Sequence, residues 1–153
     1  MIGLIGYRNH SLKILNILVK YNYKNIIVYC RDKKKLLNIK KNILYTDNIN
    51  ELIKCSIIFI CSPNNTHYKY IKKFLSKDTY IFCEKPASVC LKEVSKLKNL
   101  KNQLKEKIYF NFNYIKSNTY YFIDKEIKNK QNGELMHVSI YATHGLFFKN
   151  KFN

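Results

Sequence analysis

Apolar residues in this chain recur in two kinds of run. Short blocks rich in β-branched and aromatic residues occur at Met1–Gly6, Asn25–Cys30, Ile43–Tyr45, Ser56–Cys61, Thr79–Cys83 and Lys107–Phe112. Such blocks are the pattern of strands buried on both faces of a parallel sheet. Between them, apolar residues fall at helical spacing. Leu12, Leu15, Ile17, Leu18 and Val19 mark a helix over Asn9–Lys20, and Val94, Leu97, Leu100 and Leu104 mark one over Val89–Leu104. Further helices are predicted over Lys33–Lys41, Thr66–Lys77 and Asn113–Asn132, with a small one at Ile49–Lys54 that opens on the capping-box-like pair Asn48 and Glu51. Strand and helix alternate, which predicts an α/β fold with a Rossmann-like, doubly wound parallel sheet of order 3-2-1-4-5-6. Beyond it, Asn132-Gly133 is a turn signal, and Leu135–Thr143 alternates apolar and polar positions like one more strand, at Leu135, Val138, Ile140 and Ala142. The expected division is 1–115 for the sheet domain and 116–153 for the start of a second, α+β domain.

Two of the predicted strands end in chemistry. Ser56–Cys61 runs into Ser62-Pro63-Asn64-Asn65-Thr66-His67, and Thr79–Cys83 runs into Glu84-Lys85-Pro86, with a helix between them. Such a β-α-β crossover is right-handed, so the two polar tips lie side by side at the carboxyl edge of the sheet. That edge is where open α/β sheets bind ligands. Taken alone, Glu84-Lys85 reads as a solvated loop ion pair, worth well under ~1 kcal/mol. His67 taken alone reads as a packing histidine. The two tips at one edge turn the balance toward function.

The paired motifs S-P-N-x-x-H and E-K-P at this separation resemble the Gfo/Idh/MocA family, the glucose-fructose oxidoreductase and inositol dehydrogenase type of NAD(P)-dependent sugar oxidoreductase. The likeness runs from Met1 to about Gly145 and covers the amino-terminal half of a typical member. It implies that Ser62, Pro63, Asn64 and His67 line the nicotinamide-side ribose of NAD or NADP. It implies a catalytic role for Lys85, which would assist removal of the hydroxyl proton and stabilise the developing alkoxide. Glu84 would orient that lysine or the cofactor. The implied substrate is a sugar, a polyol or a sugar derivative. In the family a second-domain sheet carries the substrate and a further catalytic histidine; His144 comes too early to be it, and the chain is expected to represent that domain only by its start. A completed sheet there would be the surface for a homo-oligomer.

The glycine fingerprint G-x-G-x-x-G of such folds, which admits the pyrophosphate, is altered here. With Gly6 as the first glycine, Arg8 and Ser11 take the second and third places. Alternatively three loop residues are missing, and Arg8-Asn9-His10 already belong to the helix start. Arg8 is then either an exposed loop residue or a phosphate partner beside the helix amino terminus. At the tip of the second strand, Cys30-Arg31 stands where an acidic ribose ligand is common, and Arg31 suits a 2′-phosphate, favouring NADP over NAD. Asp32 reads as the cap of the next helix.

Composition changes this picture little. Hydrophobic residues make up 46% and charged residues 25% of the 153 residues, as in ordinary globular domains. The formal net charge of +18 raises a nucleic-acid partner. Lys, Asn, Ile, Tyr and Phe, all residues of A/T-rich codons, are abundant, and the lysines are spread over every predicted helix rather than gathered in a stripe. Neither a specific nucleic acid nor a membrane is therefore expected, and no apolar run approaches spanning length. The five cysteines form no C-x-x-C pair and no zinc pattern. They read as small buried residues of a soluble protein in a reducing cytoplasm, with no metal. Three readings follow in order: the oxidoreductase, a non-catalytic nucleotide-binding Rossmann domain or remnant of one, and a basic nucleic-acid-binding protein.

Overall fold

The structure, a computed structural model, describes residues 1–32, 43–76, 78–129 and 133–141; the helix predicted over Lys33–Lys41 lies outside them. Strands β1 (Ile2–Ile5), β2 (Ile26–Tyr29), β3 (Ile43–Thr46), β4 (Ile57–Ile60), β5 (Tyr80–Cys83) and β6 (Ile108–Phe110) form one sheet in the order β3-β2-β1-β4-β5-β6. Every pairing is parallel, with Leu4 opposite Val28 on one side and Phe59 on the other. This is the predicted doubly wound order. It sends the chain outward in both directions from the β1–β4 pair and leaves a crevice at their carboxyl ends.

The period-2 geometry of strands divides the core between the two faces. On one face Leu4, Val28, Ile2 and Ile26 pack with Leu15 and Leu18 of α1 (Asn9–Lys20). On the other, Ile5, Ile27, Ile58, Ile60 and Ile81 pack with Tyr70, Ile71 and Phe74 of α2 (His67–Phe74). A fully buried Leu or Ile side chain contributes roughly 1.5–3 kcal/mol, so a handful of contacts fixes each helix to its face. Removing one of them, as in Ile71→Ala, should cost about 2–5 kcal/mol.

The expectation that every strand is buried on both faces fails at both margins, at Leu44 of β3, which is 60% exposed, and in β5 and β6. In β5 and β6, Ile81 and Cys83 are buried while Tyr80, Phe82 and Tyr109 are exposed. These rings cover one another instead: Phe82 stacks on Phe59 at 5.2 Å and on Tyr109 at 4.9 Å, and Lys107 Nζ lies 3.8 Å from the Tyr80 ring centre. A run of apolar letters cannot say which strands have helices on only one side.

Two predicted helices are interrupted. Val89–Leu104 becomes α3 (Leu91–Lys98) and α4 (Asn102–Lys105), separated at Asn99–Lys101. Neither piece buries a residue fully, so packing does not enforce a continuous rod. Ile49–Lys54 forms as predicted but as a 3₁₀ helix, capped by Asn48 Oδ1, which accepts from the Asn50 N–H at 3.1 Å.

The chain divides into two compact units, Met1–Phe112 and Asn113–Asn153. In the second, the predicted Asn113–Asn132 helix appears as a 3₁₀ turn, Asn113–Lys116, followed by α5 (Asn118–Asn129). Ser117 makes the break: its Oγ donates to the Tyr114 carbonyl at 2.7 Å and accepts from the Tyr120 N–H at 3.1 Å, as an N-cap does. The strand expected over Leu135–Thr143 is not formed in its described part, Leu135–Tyr141, which adopts no regular structure. Alternation supplies a strand's side-chain pattern but not the neighbour that its backbone groups must pair with.

Candidate functional site

Because the sheet is parallel, every strand delivers its following residues to the same edge. β1 ends at Gly6, β2 at Cys30-Arg31-Asp32, β4 at Cys61-Ser62-Pro63, β5 at Glu84-Lys85-Pro86 and β6 at Asn111. A cleft of about 150 Å³ opens there across the crevice, between Gly6, Tyr7 and Arg8 on one side, Arg31 and Asp32 on another, and Ser62, Pro63 and Thr66 on the third, with Tyr29 and Tyr70 lining it as well. Closed pockets for whole small ligands run to roughly 300–1,000 Å³, so this cleft suits part of an extended ligand laid along an open edge.

Gly6 is the close-approach point of the cleft. Its φ is +112°, and a Cβ there would lie 2.7 Å from the Cys61 carbonyl oxygen and 3.1 Å from its carbon. No side chain fits, because the obstacle is the backbone of β4's tip. The connection to α1 is Gly6-Tyr7-Arg8, and α1 starts at Asn9, a helix start that both alternatives allow. Arg8 is the N-cap. Its N–H donates to Ser11 Oγ at 2.8 Å, and Ser11 Oγ donates to the Arg8 carbonyl at 2.7 Å. That leaves the Arg8 side chain exposed in the cleft, beside a helix start without an acidic residue in its first turn.

Arg8 and Arg31 are the only arginines in a chain with 28 basic residues, and the fold brings both to this one cleft. The planar guanidinium is the side chain for bidentate phosphate contact. Tyr29 and Tyr70 meet edge-on at 6.3 Å behind them. Burial pushes the Tyr70 hydroxyl up from its ordinary value, aided by its bond to Tyr29, while the charge of Arg31 pulls it back. Sequence reading passed over Tyr29 and Tyr70 because each belongs to the apolar pattern of its own element; their meeting at the edge depends on the strand order.

Ser62 and Pro63 are both tied to Thr66. Thr66 Oγ1 lies 2.7 Å from both Ser62 Oγ and the Pro63 carbonyl, and the Thr66 N–H donates to the same carbonyl at 2.8 Å. Asn64 is exposed at the start of a 3₁₀ turn, outside the cleft wall. His67, expected beside the cofactor, is wholly buried. Its Nδ1 is 2.7 Å from the Pro86 carbonyl and its Nε2 is 2.8 Å from the Ser62 carbonyl. It ties the β4 tip to the β5 tip from beneath.

Glu84 is largely enclosed and does not line the cleft. Its Oε1 accepts from Asn111 Nδ2 at 2.6 Å and pairs with His10 Nε2 at 2.5 Å, and its N–H donates to the Ile60 carbonyl at 2.9 Å. Lys85 is exposed, next to the cis Lys85-Pro86 bond. His10 and Asn111 were not legible as site residues: one lay in the altered glycine motif, the other just past a strand. Cys61 and Cys83 flank this edge, and burial, assisted by the Glu84 charge, pushes both thiols up to about 12. They are poor nucleophiles. Cys90 is exposed rather than buried, a departure from the uniform reading of the cysteines.

Among the described residues no three His, Cys, Asp or Glu side chains cluster as a metal site, and no helix is long and apolar enough to cross a membrane.

A parallel sheet of this order, with a glycine-limited crossing and two arginines at its switch point, defines a dinucleotide-binding domain of the Rossmann class. The chain belongs to the Gfo/Idh/MocA oxidoreductase family with an NAD-binding Rossmann fold, which matches residues 1–112. It is 27% identical over 96 residues to glucose-6-phosphate 3-dehydrogenase of Bacillus subtilis strain 168, across 62% of this chain and 27% of that one. Similar solved structures include the WlbA dehydrogenase from Chromobacterium violaceum in complex with NADH and UDP-GlcNAcA, with a TM-score of 0.72, 14% identity, and coverage of 86% of this chain and 40% of that one. Myo-inositol 2-dehydrogenase from Lactobacillus plantarum superposes with a TM-score of 0.68 at 19% identity, over 86% of this chain and 42% of that one. The chain thus spans about two-fifths of the solved relatives.

Proposed function

We propose that this chain supplies the dinucleotide site of an NAD(P)-dependent oxidoreductase acting on a hydroxyl of a sugar, polyol or sugar derivative. The observation that carries the reading is the convergence of Gly6, Arg8, Arg31 and the Ser62-Pro63 tip on one cleft at the switch point. The residues suit the cofactor: Gly6 lets the β1 and β4 tips approach, the amino terminus of α1 and Arg8 favour the pyrophosphate, and Arg31 favours a 2′-phosphate. The nicotinamide ring, when bound, takes the hydride. Ser62 and Pro63 then form the wall beside its ribose, with Asn64 exposed just beyond it. At the next tip, Lys85 is the residue we assign to holding the hydroxyl proton and favouring the alkoxide by its charge. With reduced cysteines and small-molecule chemistry, the protein belongs in the cytoplasm.

The altered glycine motif, with Arg8 and Ser11 in place of glycines, and the position of Lys85 outside the cleft wall favour one alternative, a Rossmann domain that binds a nucleotide without catalysis. Isothermal titration separates the levels of the claim. NADPH should bind more tightly than NADH, and Arg31→Asp should reverse the order. Tighter binding of NADH to the unmodified chain overturns the role of Arg31, and binding of neither overturns the dinucleotide site.

A further inference from the structure

The short connection between β1 and α1 has a structural consequence at the tip of β5. With three residues between β1 and α1, the first turn of α1 comes down to the sheet edge, and His10 reaches Glu84. A single carboxylate oxygen, Glu84 Oε1, thus receives His10 from the α1 start and Asn111 from the β6 tip, at 2.5 and 2.6 Å. The Glu84 backbone is held by Ile60 of β4, and the other end of the tripeptide, Pro86, is held by His67. Four elements therefore meet on the segment that carries Lys85. The Glu84 side chain is 18% exposed and His10 47% exposed, so the carboxylate is shielded while the imidazole stays at the rim.

We propose that His10 is a positioning residue: through Glu84 it latches the phosphate-side start of α1 to the tip bearing Lys85, so that a ligand held at the helix start and the orientation of Lys85 are coupled. Glu84 acts here as the anchor of the latch rather than as a group that touches the reacting atoms. The latch itself follows from the contacts, and its coupling to a dinucleotide rests on the function proposed above.

The test uses the whole chain with reductively ¹³C-methylated lysines, the Lys85 signal being assigned by its loss in Lys85→Arg. Without ligand, His10→Ala and Glu84→Gln should both shift that signal, and His10→Gln, which keeps a donor near the position of Nε2, should restore it. NADPH should also shift it in the unmodified chain, and its Kd should rise on the order of tenfold in His10→Ala, the scale of one lost charge-assisted hydrogen bond. A Lys85 signal unmoved in folded His10→Ala overturns the latch. Should that variant fail to fold, Asn111→Ala decides in the same way. If NADPH shifts nothing in the unmodified chain, the dinucleotide reading fails while the ligand-free comparison still judges the latch.

Discussion

Gly6→Ala isolates the contact on which the cleft depends. The added Cβ would stand 2.7 Å from the Cys61 carbonyl oxygen at a φ of +112°, so it meets both backbone strain and a clash. The strain costs of order 1–3 kcal/mol and the overpacking typically ~1–3 kcal/mol. Relief is difficult because the Cys61 N–H is bonded to the Ile5 carbonyl at 2.9 Å and the following carbonyl, of Ser62, lies 2.8 Å from the wholly buried His67. A loss of about 3 kcal/mol is therefore expected, lowering the Tm by roughly 10 °C for a domain of this size. Gly3→Ala is the control. Its Cβ also meets an atom at 2.7 Å, but that atom is Ile58 Cδ1, the end of a flexible side chain, with Leu52 Cδ2 at 3.1 Å. It should cost about 1 kcal/mol. Urea unfolding followed by circular dichroism measures both. Equal losses in the two variants, or a Gly6→Ala protein within ~0.5 kcal/mol of the unmodified one, would refute the argument from backbone obstruction.

His67→Phe removes the ring nitrogens beside the Pro86 and Ser62 carbonyls, to one of which a neutral imidazole donates, and should cost about 1–3 kcal/mol in urea unfolding; an unchanged midpoint would deny the strut. Cys61 and Cys83 have folded values near 12 against an unfolded value near 9. The protonated thiols belong to the fold, so their stability contribution is intact below pH ~9 and declines as pH rises toward 12. Unfolding midpoints at pH 8 and 10.5 should fall less in Cys61→Ala than in the unmodified chain, and iodoacetamide at pH 8 should label Cys90 well before Cys61 or Cys83. With NAD or NADP and a panel of polyols, aldoses and nucleotide sugars, the 153-residue chain should show no steady turnover by nicotinamide absorbance, because positioning contributes effective molarities of up to ~10⁵–10⁸ M and general acid–base help only ~10²–10⁴-fold. Turnover abolished by Lys85→Ala would refute that. Duplex DNA should bind weakly and without sequence preference, and be released near ~0.2 M salt; retention of one sequence at that salt would promote the basic-protein reading.

The sequence by itself determined the order of elements, and with it the sheet. Runs such as Ile57–Ile60 and Ile26–Tyr29 can satisfy their backbone groups and bury both faces only within a parallel sheet flanked by helices. Chirality then places Ser62-Pro63 and Glu84-Lys85 at one edge. Local signals also held where a side chain acts on its own backbone, as Asn48 does at its cap. What the letters left open was decided by distance in space. That no side chain fits at Gly6 was decided by Cys61, a contact between residues far apart in the chain. The arrival of Arg8 and Arg31 at one cleft, the enclosure of His67 between two carbonyls, and the capture of Glu84 by His10 and Asn111 are of the same kind. Each pairs groups brought together by strand order and crossover hand, and a one-dimensional pattern carries no term for such encounters. The strand expected at Leu135 marks the converse: its alternation is local, but a strand is completed only by a neighbour.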